Sequence, residues 1–198
     1  CLIESGAGSA QVWSERSSNP FDCAAEKIGA GRVSFETLAE GTQAVIVTVS
    51  ARGQEGQDRP NMDIEPADQA ALKQAIAAAR AAGVPVVVIL NVAGPVSMMD
   101  WLEDIDAVLC TFIPGMEGGR ATADILFGDL NPSGKLPLTF PRYYRDCPAY
   151  GNFPGEFGEV WYGEGIYVGY RYYDLKGVEP LFPFGFGLSY TTFEISDL

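Results

Sequence analysis

The sequence predicts an α/β fold, a three-layer sandwich of mostly parallel sheet with helices on both faces and an antiparallel, aromatic-rich C-terminal portion. Three observations carry this. Between residues 44 and 128, short apolar runs rich in Val and Ile alternate with stretches of helical periodicity. The apolar runs are continuous rather than alternating, which is how strands buried on both faces of a parallel sheet read. After Asp129 the style changes, and Gly, Tyr and Phe replace helical periodicity. No internal repeat, low-complexity tract or clear boundary divides the chain, so residues 1–198 are expected to form one domain.

Leu2-Ile3-Glu4 reads as the tail of a strand, followed by a flexible turn of small residues from Ser5 to Ala10. That turn is either a plain loop or a binding loop; without G-x-G-x-x-G spacing it gives little support to a nucleotide site. From Val12 to Gly41 the pattern is weak, with a short helix expected over Asp22 to Ile28 and a short strand over Arg32 to Phe35. Ala44 to Val49 is a buried strand by its β-branched content. Asp63 to Ala82 follows as a helix: Pro66 suits its first turn, Glu65 and Asp68 suit the dipole, and Leu72, Ile76 and Ala79 share a face. Gly83 ends it. Val84 to Leu90 and Ala107 to Phe112 are further strands, Ser97 to Ile105 a short helix, and Glu117 to Phe127 a third helix ended by Gly128. Leu136 to Phe140 is extended, Pro137 arguing for an edge position. Tyr167 to Tyr173 reads as a strand within long wrapping loops.

Composition excludes several functions. With 13 Lys+Arg against 26 Asp+Glu the net charge is -13, which repels nucleic acid and anionic membrane alike. A neutral substrate such as a sugar fits better. There is no His, so every imidazole-dependent triad is ruled out and catalysis has to rest on carboxylates. The four cysteines, Cys1, Cys23, Cys110 and Cys147, form no C-x-x-C pair, so no zinc site is expected; nor is any other metal or cofactor. Cys110 reads as a buried small hydrophobe, and a disulfide among the others stays open. No apolar stretch reaches the ~20 residues that span a bilayer, and the chain reads as soluble. Its N-terminus does not choose between cytoplasm and secretion.

In an open parallel sheet, ligands bind beyond the carboxyl ends of the strands. The loop Ser50-Ala51-Arg52-Gly53-Gln54-Glu55-Gly56-Gln57-Asp58-Arg59 sits there, as do the turns Asn91 to Pro95 and Ile113 to Gly115. Gly53 and Gly56 leave Glu55 free of bulky neighbours. A general acid needs a carboxyl raised towards neutrality by a neighbouring carboxylate or by desolvation. Read alone, Glu55 is first of all a solvated loop acid, since charged residues are mostly exposed, and Asp58-Arg59 an ion pair that shapes the loop.

Several ordered motifs go further. Glu55 to Arg59 resembles the E-G-x-D-R loop of the sandwich domain of glycoside hydrolase family 3. Pro114 to Gly119 resembles that family's P-G-x-E-G-G, Ala123 to Asp129 its A-D-x-L-F-G-D, and Asn131 to Pro137 its N-P-S-G-K-L-P. Tyr162 to Tyr173 and Phe182 to Tyr190 resemble its closing segments, and Gly6-Ala7-Gly8-Ser9-Ala10 its G-G-G-S loop, with Ala7 a departure. The likeness runs from about Ala44 to Phe193; the segment between Ser9 and Ala44 is shorter and less recognisable than the family pattern.

What the resemblance implies is a retaining β-glycosidase, of β-glucosidase type, acting on terminal β-linked sugars. Its nucleophilic Asp would come from a (β/α)8 barrel domain absent from this chain, and Glu55 would be the acid/base. Ser9 is then expected to touch the sugar, Trp161 to stack at the pocket mouth near Glu156, and Asp58 and Arg59 to shape the loop. Glu156 and Glu164 could border the pocket. The implied partners are a β-linked oligosaccharide or glycoside and the barrel, with a homo-oligomer left open; the isolated chain is expected to be inactive. The alternative is a non-catalytic carbohydrate-binding or scaffold module.

Overall fold

The structure is a computed structural model that describes residues 2–3, 5–194 and 196. The chain forms two compact units, Cys1–Phe127 and Gly128–Leu198.

In the first unit, β1 (Val45–Ala51), β2 (Val86–Val92) and β3 (Ala107–Cys110) form a parallel sheet in the order β1-β2-β3. Val49 pairs with Leu90, and Leu90 in turn with Cys110. β2 is buried at six of its seven positions, so both of its faces are covered, as its unbroken Val/Ile/Leu run requires. Helix α2 (Pro66–Ala82) supplies cover by packing on β1 and β2. It buries Leu72, Ile76 and Ala79, the expected face, and burial of each of the two larger side chains is worth about 1.5–3 kcal/mol. Pro66 opens α2 at its first position, three residues later than Asp63, because its missing N–H costs nothing there. Gly83 closes it in the left-handed conformation, its N–H donating to the carbonyls of Ala79 and Arg80.

The poorly patterned segment before β1 holds α1 (Pro20–Ile28), capped by Asn19, whose side-chain oxygen accepts from the Asp22 N–H. Helix α1 packs against α3 (Gly118–Leu126), and Lys27 pairs with Asp124 at 2.6 Å. A Cβ on Gly119 would lie 2.5 to 2.6 Å from the backbone of Asn19. Gly119 thus serves the close approach of α1 to α3, while a Cβ on Gly118 would meet the Pro114 ring.

Other expectations need correction. Arg32 to Phe35 is not a strand; a single 3-10 turn at Ala30–Arg32 leads into bends. Ser97 to Ile105 forms turns ending in one 3-10 turn, Leu102–Asp104, and the segment is held by Trp101, which is buried. Leu2 and Ile3 join no strand, while Glu4 lies outside the described residues. Cys23, Cys110 and Cys147 are in no disulfide, with Cys110 half-buried; Cys1 lies outside the described residues.

The second unit has little regular structure. Tyr170–Lys176 is a helix, α4, rather than part of a strand. The alternating Tyr pattern hides an i, i+3 pair, of which Tyr173 is buried, and Gly177 closes the helix in the left-handed conformation. Leu136 to Phe140 bends at Pro137 and Leu138 where an extended run was expected, and it meets residues 181–186 through backbone bonds and an antiparallel bridge between Phe140 and Phe182. Phe140, Phe182 and Phe186 cluster there, the Phe182 and Phe186 rings 5.0 Å apart. The motifs at 131–137 and 182–190 form one knot. The Asn131 side chain donates to Ser189 and accepts from the Tyr190 N–H, and Lys135 donates to the Gly187 carbonyl. A Cβ on Gly187 would lie 2.5 Å from the Gly134 carbonyl oxygen, so the two segments approach backbone to backbone.

Candidate active site

The parallel register brings the carboxyl ends of β1, β2 and β3 to one edge of the sheet. Ser50 opens the working loop and is fixed from below: its N–H and hydroxyl both donate to the Asp68 carboxylate in the first turn of α2, at 2.7 and 2.5 Å. Its carbonyl accepts from the Glu65 N–H at 2.8 Å. The Ala93 N–H donates to Ala51, and the Arg59 guanidinium to the Pro95 carbonyl at 2.9 Å. Both ends of the loop are thereby tied to the neighbouring strand's turn. Asp58 is exposed, and among the described residues no ion pair joins it to Arg59.

Between those anchors the chain turns tightly at Gly56, whose φ is +71°, with the Gln57 N–H donating to Gln54. Glu55 stands on this turn with its side chain in solvent. The Ser9 N–H donates to its Oε2 at 2.6 Å, and Ala7 bridges to Gln54 alongside. The structure thus brings Ser9 and Glu55 together. Hydrogen bonding from the Ser9 backbone, then from its hydroxyl, holds the Glu55 carboxyl below its ordinary range, since both favour the charged form.

The polar residue that fixes the Ser9 segment is Asn91, which sequence reading placed only in a turn. It ends β2 fully buried and donates to the carbonyls of Ile3 and Phe112 at 3.1 and 2.6 Å, while its own oxygen accepts from the Ile3 N–H. One side chain ties the segment before Ser9 to two strand ends. A lone Asn inside an otherwise apolar strand was the signal available in the sequence, because a buried amide needs partners.

Trp161 belongs to the second unit, where it is 71% exposed. Glu156 pairs backbone to backbone with Glu159, at 3.0 Å both ways, across a tip formed by Phe157 and Gly158. Glu164 is half-buried nearby in sequence. Among the described residues no group of three His, Cys, Asp or Glu could hold a metal ion, and no helix is long and apolar enough to cross a membrane.

Residues 2–190 match the model of the glycosyl hydrolase family 3 C-terminal domain. The chain is 51% identical over 144 residues to thermostable beta-glucosidase B of Acetivibrio thermocellus, which covers 73% of this chain but only 18% of that protein. Probable beta-glucosidase J of Emericella nidulans is 45% identical over 164 residues, again with 19% of its length covered. Among solved structures, beta-glucosidase 3B of Thermotoga neapolitana in complex with glycerol superposes with a TM-score of 0.85 at 33% identity, over 99% of this chain and 33% of that one. The beta-glucosidase of Kluyveromyces marxianus in complex with glucose gives 0.71 at 42% identity, over 78% and 18%. The chain spans about a fifth of the length of the curated relatives it matches, and it belongs to the glycosyl hydrolase family 3 C-terminal domain family.

Proposed function

We propose that the chain supplies half of the active site of a retaining β-glycosidase, a β-glucosidase, with Glu55 as the general acid/base. The observation that carries the reading is a solvent-facing carboxyl, anchored at the carboxyl end of a parallel sheet, in a chain whose relatives bear the name β-glucosidase. The other half, a nucleophilic Asp on a (β/α)8 barrel, belongs to the remainder of the enzyme, and the substrate is a terminal β-linked sugar.

In the first step protonated Glu55 gives its proton to the glycosidic oxygen as that bond breaks, and the nucleophile's carboxylate forms an ester with the sugar carbon. In the second, the Glu55 carboxylate takes a proton from water, whose oxygen attacks the same carbon and releases the nucleophile. The chain by itself favours the second state, because the Ser9 N–H stabilises the carboxylate. A retaining site brings a second carboxylate to about 5 Å, and like-charge repulsion then raises the acid. Asp58 is a poor candidate for that partner, being exposed on the same loop. Trp161 and Ser9 are each assigned a contact with the sugar, Ser9 as the residue that also bonds Glu55.

The test is Glu55→Gln in the complete enzyme. Turnover of substrates with poor leaving groups should fall by about 10²- to 10⁴-fold, with azide restoring turnover of activated aryl glucosides. Unchanged activity rejects the assignment. Hydrolysis of an aryl β-glucoside by the 198-residue chain alone would reject the half-site reading. Sugar binding by that chain in calorimetry, with Glu55→Gln harmless in the complete enzyme, would favour a binding module.

A further inference from the structure

The loop from Ser5 to Ala10 contains a glycine that the proposed reaction does not use directly. A Cβ built on Gly8 would lie 2.6 Å from Oε2 and 2.7 Å from Cβ of Glu55, nearer than real side-chain carbons approach. Gly8 also has φ +72°, in the left-handed region that L side chains rarely adopt. Its neighbour Ser9 turns its N–H onto the same Oε2 at 2.6 Å.

The Gly8-Ser9 backbone is therefore a seat: a flat, side-chain-free surface beneath the Glu55 stem, with one donor at its end. It is held from two sides, by Ala7 bridging to Gln54 and, further up the chain, by Ile3 bound to the buried Asn91. The carboxyl is thus fixed by contacts from a different segment than its own loop, which is how a side chain on an exposed turn can keep one orientation.

We propose that Gly8 is a positioning residue for the Glu55 carboxyl, its missing Cβ and left-handed backbone forming the seat that aims this group. The proposal rests on the reading of Glu55 as acid/base. Replacing Gly8 pushes the Glu55 stem off the Ser9 N–H, and a displacement of about 1 Å at a reacting group costs on the order of 10²-fold in rate.

The experiment uses the complete enzyme. Gly8→Ala is expected to lower kcat on cellobiose by about 10- to 100-fold, with KM changing by less than about 3-fold. The loss is expected to be smaller on an activated aryl glucoside, which needs less help from a general acid. The limb of the pH–rate profile set by Glu55 should shift. In a Glu55→Gln background the same substitution should cost less than about 2-fold, because residues acting as a unit are not additive. Gly31→Ala is the control, since a Cβ there meets nothing within 4 Å.

Wild-type activity in Gly8→Ala, with Glu55→Gln crippled, overturns the seat and spares the acid/base reading. Equal losses in both backgrounds reduce Gly8 to a structural residue and also overturn it. Normal activity in Glu55→Gln overturns both. Should Gly8→Ala fail to fold, a crystal structure of the complete enzyme decides: a Glu55 carboxyl beyond hydrogen-bond reach of the Ser9 N–H rejects the proposal.

Discussion

The loop carrying Glu55 and the loop carrying Trp161 are both exposed, yet they are built differently. The first leaves a parallel strand, β1, which is buried only at Val49 and Ala51; it is bonded to α2 and to the turn after β2, and has its central side chain bound by a second segment. The second lies in residues 143–169, where the contacts are local turns: Gly165 to Tyr162, Tyr167 to Glu164, and Glu156 to Glu159. At its tip Phe157 and Gly158 both have positive φ, as primed hairpin turns require, and the Phe157 ring is fully exposed. An acid/base needs one orientation and so needs remote anchors. An aromatic contact is held by whatever packs onto it, and its own unit leaves it in solvent.

This contrast can be broken at its strongest point first. Asn91→Ala removes three hydrogen bonds and leaves part-buried backbone groups of Ile3 and Phe112 without that partner, so it should cost about 3 kcal/mol, a fall in Tm of roughly 6 to 12 °C. A loss below 1 kcal/mol in urea unfolding would show that the Ser9 segment does not depend on Asn91.

Gly119→Ala comes next. It forces a Cβ against the backbone of Asn19 and should cost about 1–3 kcal/mol by prising α1 from α3. A neutral result in the same measurement would mean that the two helices have slack.

The pH dependence is smaller and sharpens the Glu55 side alone. Its folded-state pKa is lowered, so the Ser9 contact contributes stability that is present above the unfolded value and lost as pH falls through the folded one. The Tm difference between the wild type and Glu55→Ala should therefore shrink on going from pH 7 to pH 3. A difference that grows on acidification would contradict the bond.

At the bottom of the scale, Trp161→Ala and Phe157→Ser should each change the stability of this chain by less than about 0.5 kcal/mol, since both rings are in solvent. A drop of 2 kcal/mol for either would mean that its loop is packed after all, and the contrast between the two loops would fail.

The strands and α2 were legible because their signals are local: uniform β-branched runs, a proline at the first helical position, a glycine at the last. Tyr167 to Tyr173 was misread because alternating Tyr satisfies a strand period and an i, i+3 helix face equally, and only burial of Tyr173 decides between them. Ser97 to Ile105 was misread for a related reason, in that one buried Trp101 fixes a turn which its neighbours would allow to be helical.

The sequence by itself determined the α/β class, the exclusion of imidazole chemistry and the place of Glu55 beyond a strand's carboxyl end, all of which follow from residue type and period. Tertiary structure decided what Glu55 touches. Gly8, Ser9 and Asn91 lie 47, 46 and 36 positions from Glu55 in the chain. No local rule of periodicity or turn chemistry reaches so far, and only the parallel register that aligns the strand ends brings these residues into one site.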